Sequence, residues 1–243
     1  MPVAEDAPSK HRNSHTAWTL TTNGHTGAGR ALYAFLWVLC RTLSLVFFGF
    51  RSKFAEPLPS EGGLLVLASH QSHLDPLLLG LASPRRLSSL ARSSLFKNRF
   101  LGELISLLDA VPIDRESSSI GAMKAIISRL KAGTAVIIFP EGTRTAKGEQ
   151  LNDFQRGAAN IALRAGVPIR PVLISCTPST LTKNEKWYHI PEQPFHIHVK
   201  VLDAIRVEDV LDDVTVNPKN VRQLNQQLQW FFNQELSLNE QPC

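Results

Sequence analysis

Strands alternating with helices predict an α/β domain over residues 56–243, built on a mostly parallel sheet flanked by helices, with a membrane-associated helical segment before it. Three observations carry this. Short β-branched or apolar runs recur at 64–68, 134–139 and 169–176. Stretches with helical periodicity separate them. An almost unbroken apolar run, ALYAFLWVLCRTLSLVFFGF, fills 31–50. At 243 residues the chain is long enough for one sizeable core.

Residues 1–29 are polar, rich in Thr, Gly, Asn and His, and read as a flexible arm. The histidines in it (His11, His15, His25) are scattered and do not read as a metal site. Residues 30–55 read as a membrane-anchoring helical segment, long enough to span a bilayer, which needs about 20 apolar residues. Arg41 sits near its middle, where a charge costs about 2.5–3.5 kcal/mol on insertion scales. An interfacial or bent helix, with Arg41 snorkelling to headgroups, is therefore preferred over a spanning one.

In the domain proper, LLVLA (64–68) reads as a buried strand, and a helix opens at 75 with Asp75 at its cap and Pro76 in its first turn. Strands follow at 87–91 and 110–114, with helix at 95–108 between them. A helix at 118–131 is closed by Gly133. TAVIIF (134–139) is the strongest strand in the chain. A helix at 154–165 ends at Gly166, strands are expected at 169–176 and 195–202, and a helix at 218–237 closes the chain. Neither a repeat nor a low-complexity segment is present.

The formal net charge of +5 suits anionic partners such as phosphates, anionic headgroups or an acidic carrier protein. It does not support nucleic-acid binding, since no basic run is interleaved with aromatics. Cysteines number three, with no CxxC, so neither a disulfide framework nor a zinc site is indicated.

Four blocks carry chemistry. SHQSHLDP (69–76) lies between a buried strand and a helix, where α/β folds place their sites. His70 and Asp75 are close enough there for the carboxylate to hold one imidazole nitrogen and leave the other to take a proton. The same residues fit a core histidine and a helix cap equally well; His73 is a less natural base. FPEGTR (139–144) ends the strongest strand in a tight turn that aims the Thr143 hydroxyl and Arg144 at one point. Gly142 shapes the turn, Arg144 can grip a phosphate with its fork, and Glu141 can orient Arg144 or an acceptor hydroxyl. VPIDR (111–115) offers Arg115 as a second cation. VPIRPV (167–172) supplies a wall or an acyl-chain contact. His196 and His198 read as a solvated strand face.

In order and spacing these blocks resemble the glycerolipid acyltransferase family, of the 1-acylglycerol-3-phosphate acyltransferase, HxxxxD type. The resemblance covers roughly residues 60–175 and includes FQRGA (154–158). It implies a fatty acyl donor on coenzyme A or acyl carrier protein, His70 and Asp75 as catalytic residues, and an acceptor phosphate held by Arg115 and the Glu141–Gly142–Thr143–Arg144 turn. It also implies a lysophosphatidic acid acceptor giving phosphatidic acid, a membrane surface as partner, and no metal or cofactor. Ser69 departs from the Asn often found before the catalytic histidine. The bacterial inner membrane, with the site facing the cytoplasm, is the expected location. A different lysolipid acceptor, such as a lyso-ornithine lipid, a thioesterase activity, and a non-catalytic lipid-binding role remain open alternatives.

Overall fold

The computed structural model describes residues 34–35, 37–44, 51–54, 58–72, 74–83, 85–107, 109–113, 119–146, 151–177 and 196–239. The polar arm, His73, Arg115 and the 178–194 stretch lie outside the described residues.

Seven strands form one sheet: β1 (Arg51–Phe54), β2 (Leu64–Ala68), β3 (Leu87–Arg92), β4 (Ala110–Ile113), β5 (Ala135–Ile138), β6 (Ile169–Thr177) and β7 (His196–Val201). Their order is β1-β7-β6-β2-β5-β3-β4. Pairings from β6 through β2, β5 and β3 to β4 are all parallel. Only β7 runs against its neighbour β6, and β1 is parallel to β7. Every residue of β2 is buried, as expected of a central strand covered on both faces.

Side-chain alternation along β2 divides the core. Leu65 and Leu67 pack on one face with α4 (Ser119–Lys131), α5 (Arg156–Ala165) and α6 (Pro218–Asn239). Leu64, Val66 and Ala68 pack on the other with α2 (Asp75–Ala82). The connection out of β2 passes by α2 to β3 on one side, while that out of β5 passes by α5 to β6 on the other. Neighbouring strands that send their connections in opposite directions make a crevice at their carboxyl ends, where open α/β sheets bind ligands. The helix expected at 95–108 is split: a 3-10 turn covers Ser93–Lys97 and α3 covers Arg99–Leu107. Gly133 and Gly166, at φ +87° and +61°, follow α4 and α5 as expected of left-handed helix ends.

Two expectations for the N-terminal region are corrected. Residues 51–54 were read as part of the helical segment but form β1, in register with His198–Val201 of β7. Helix α1, over 34–35 and 37–44, rests on the domain. Trp37 Nε1 donates to Gly80 O at 3.0 Å and Arg41 Nη1 to Leu81 O at 2.6 Å, with the Arg41 guanidinium 5.2 Å from the Trp37 ring centroid. Arg41 thus reaches the carbonyls of the last turn of α2, which lack intrahelical partners and carry the negative end of the helix dipole, instead of headgroups. No described helix is long and apolar enough to cross a membrane.

Candidate active site

Leu67 and Ile138 are paired, so the loops leaving β2 and β5 emerge side by side. The first residues of functional interest on each, His70 and Phe139, meet directly: their rings stack with centroids 4.1 Å apart and planes 22° from parallel. His70 Nδ1 lies 2.9 Å from Asp75 Oδ2. The histidine side chain is 19% exposed and the aspartate 1%, so the pair has one open side and one buried side.

Asp75 does not cap α2. Leu74 occupies the cap position, with no side-chain cap bond. The Asp75 carboxylate instead turns back on the loop before it, where Oδ2 also accepts the Gln71 and Ser72 N–H groups at 2.7 and 2.8 Å. Three donors on one oxygen hold the carboxylate still. An ionised Asp can only accept, so Nδ1 carries the shared proton and the Nε2 lone pair is left basic.

Ser69, 1% exposed, ties this loop to β6: its Oγ accepts the Ile174 N–H at 2.9 Å, and its own N–H donates to Val172 O at 3.1 Å. The serine that departs from the usual Asn thus joins the loop to β6 through both its hydroxyl and its backbone N–H. Pro168 O accepts the Leu65 N–H at 2.9 Å and Arg170 Nη1 donates to Leu202 O at 2.9 Å, so the VPIRPV block serves the sheet itself.

The FPEGTR turn divides into an inner and an outer part. Gly142 and Thr143 are exposed and Arg144 is half-buried, on the open side. Glu141 is 2% exposed. Its Oε1 accepts the His70 N–H at 2.8 Å, and its Oε2 accepts Thr145 Oγ1 at 2.7 Å and both the backbone and side-chain N–H of Asn152 at 2.9 and 2.8 Å. Thr145 N–H also donates to His70 O at 2.7 Å. Besides the outward role expected of it, Glu141 therefore has an inward one, with both carboxylate oxygens accepting bonds from groups inside the protein.

Gly142 sits at φ +69°, in the left-handed region, and its N–H closes the turn on Phe139 O at 3.1 Å. A side chain there costs about 1–2 kcal/mol. Gly142→Ala is expected to lower unfolding stability by that amount in denaturant titration, and to lower turnover as the turn opens.

The structure brings His70, Asp75, Glu141 and the 142–144 turn into one site. Arg115 lies outside the described residues. Thr145, Asn152 and the ring stack of Phe139 were not anticipated. Thr145 directly follows the FPEGTR block, but no local signal marks it or Asn152 as a partner of Glu141. His196 and His198 are exposed on β7, alternating with buried Ile197 and Val199.

A parallel α/β sheet with a histidine–aspartate pair at its switch point defines the class of site: an enzyme active site with a general base. The model of the family described as Acyltransferase matches residues 49–175. The chain belongs to that family, and is an acyltransferase. It is 33% identical over 144 residues to the 1-acyl-sn-glycerol-3-phosphate acyltransferase of Bacillus subtilis, covering 58% of this chain and 71% of that protein. It is 38% identical over 110 residues to the protein of the same name from Streptococcus pneumoniae, covering 44% of this chain but only 40% of that longer relative. The crystal structure of the 1-acyl-sn-glycerophosphate (LPA) acyltransferase PlsC from Thermotoga maritima superposes with TM-score 0.66 over 93% of this chain and 89% of that one, at 19% identity. At that identity the likeness is one of fold.

Proposed function

We propose that this acyltransferase moves a fatty acyl group from acyl-CoA or acyl carrier protein to the free hydroxyl of 1-acylglycerol-3-phosphate, giving phosphatidic acid in phospholipid biosynthesis. The observation that carries the reading is the 2.9 Å contact of His70 Nδ1 with buried Asp75, which leaves Nε2 as a base on the open side of the site. The names of the relatives support the acceptor.

Nε2 takes the proton of the acceptor hydroxyl as its oxygen attacks the thioester carbonyl. Asp75 stabilises the imidazolium. The tetrahedral oxyanion then collapses, the carbon–sulfur bond breaks, and the imidazolium returns its proton to the departing thiolate. Arg144, with Arg115, grips the acceptor phosphate, and Gly142 and Thr143 line the same turn.

Labelled acyl-CoA and acyl carrier protein offered with lysophosphatidic acid test this. Labelled phosphatidic acid from either donor is the expected product. Folded enzyme that leaves lysophosphatidic acid untouched while acylating another lysolipid overturns the acceptor.

The enzyme works, in this reading, at the cytoplasmic face of the bacterial inner membrane, with α1 lying on the bilayer. Phe35, Val38, Leu39 and Leu43 are 63, 56, 42 and 43% exposed on α1, while Trp37 and Cys40 pack on the domain. A helix with one face docked and the other apolar and exposed suits an interfacial position. Phe35→Asp with Leu39→Asp is expected to abolish flotation with anionic vesicles while leaving the melting temperature unchanged. Flotation equal to wild type counts against α1 as the contact.

A further inference from the structure

Both backbone polar atoms of His70 end on the cluster around Glu141: the N–H on Oε1 at 2.8 Å and the carbonyl on the Thr145 N–H at 2.7 Å. These bonds fix where the ring starts. Glu141 can hold His70 only if its own carboxylate plane is fixed, because the terminal torsion of a Glu side chain is broad. The three donors on Oε2, from Thr145 Oγ1 and from Asn152 twice, supply that restraint.

Asn152 lies in a stretch, 151–155, without regular secondary structure. It is held from the far side by α6. Gln229 Oε1 accepts the Phe154 N–H at 2.9 Å, Asn225 Nδ2 donates to Phe154 O at 3.0 Å, and Gln229 Nε2 donates to Asp153 Oδ1 at 3.3 Å. The Phe154 ring meets Phe232 of α6 edge-on at 5.1 Å between centroids. Gln155 N–H, donating to Pro140 O at 2.7 Å, ties the other end of the stretch to the FPEGTR turn. A continuous polar chain therefore runs from the C-terminal helix through 152–154 and Glu141 to the backbone of His70.

We infer that Thr145 and Asn152 are positioning residues for acyl transfer, acting through Glu141 on His70, with α6 as the rigid element that holds Asn152 in place. The inference rests on the reading of His70 as the base. It assigns a task to two residues outside the four motif blocks, and it makes α6 part of the catalytic apparatus as well as of the core. A displacement of a catalytic group by about 1 Å can cost about 100-fold in rate.

The experiment compares Thr145→Val, which keeps the shape and loses the hydroxyl, with Thr145→Ser, which keeps the hydroxyl, and adds Asn152→Ala. Two readouts are taken on folded protein. The first is the kcat and KM split in acyl transfer: kcat falls by up to about 100-fold in Thr145→Val and Asn152→Ala with KM unchanged, and Thr145→Ser stays near wild type. The second is the downfield proton resonance of His70 Nδ1–H, which arises from its bond to Asp75 and is read without substrate. It shifts and broadens in the two disabling variants and not in Thr145→Ser. An unchanged resonance in folded Thr145→Val and Asn152→Ala overturns the inference, whatever the lipid acceptor proves to be. Should the reading of His70 as base fail instead, the resonance still moves while turnover does not follow it. If Asn152→Ala does not fold, Gln229→Ala tests the same chain from its far end, with a smaller shift in the same direction expected and no shift counting against the role of α6.

Discussion

His70→Ala is expected to lower kcat by about 100- to 10,000-fold, the usual contribution of a positioned general base, with the fold retained. Retention follows from the geometry. The bonds of His70 to Glu141 and Thr145 come from its backbone and survive the substitution. Asp75 Oδ2 loses one donor but keeps the Gln71 and Ser72 N–H groups. What disappears is the imidazole with its stack on Phe139 and one of three bonds to Asp75 Oδ2, a net loss of about 0.5–1.5 kcal/mol for the hydrogen bond. The measurement is initial-rate acyl transfer by each protein, with circular dichroism melts to show that both are folded. A variant that keeps half of the wild-type turnover removes His70 from the chemistry.

Much of this site was legible because its parts are local. The five-residue gap from His70 to Asp75 spans one strand-to-helix turn, short enough for the two side chains to meet within it. The strands β2 and β5 announce themselves as short apolar runs, and α4 and α5 stop at glycines whose positive φ other residues resist. Burial and partnership across the fold are different in kind. Glu141 stands in a motif as an acid beside an arginine, and nothing in the hexapeptide says that its carboxylate faces inward. Asp75 followed by Pro76 has the composition of a helix start, yet the aspartate turns back because three donors at 70–72 compete for it. Arg41 interrupts an apolar run, which suggested a headgroup; the carbonyls at the end of α2 become available only once the chain has folded. Residues 51–54 carry too few apolar side chains for a strand pattern and become one by pairing with β7, whose sequence lies far downstream.

Asp75→Asn is the second large effect, and it separates charge from shape. With its amide oxygen in the Oδ2 position, the new side chain still accepts from His70 Nδ1 and from the Gln71 and Ser72 N–H groups. The amide nitrogen takes the Oδ1 position, which has no hydrogen-bond partner among the described residues. The tautomer and the ring orientation are therefore preserved in the resting enzyme, and a modest stability loss of about 1–3 kcal/mol comes from the unpartnered buried amide. The loss appears when His70 becomes an imidazolium during attack, because the neutral neighbour no longer offsets its charge. Where the same substitution in related triads also leaves the histidine in the wrong tautomer, the cost is about 10⁴-fold; with the tautomer kept, kcat is expected to fall by less than that, with KM for the lipid little changed. Since base and carboxylate act as one unit, the double variant His70→Ala with Asp75→Asn is expected to be no slower than His70→Ala alone. Losses that multiply in the double variant mean that Asp75 acts on the reaction by a route that does not pass through His70.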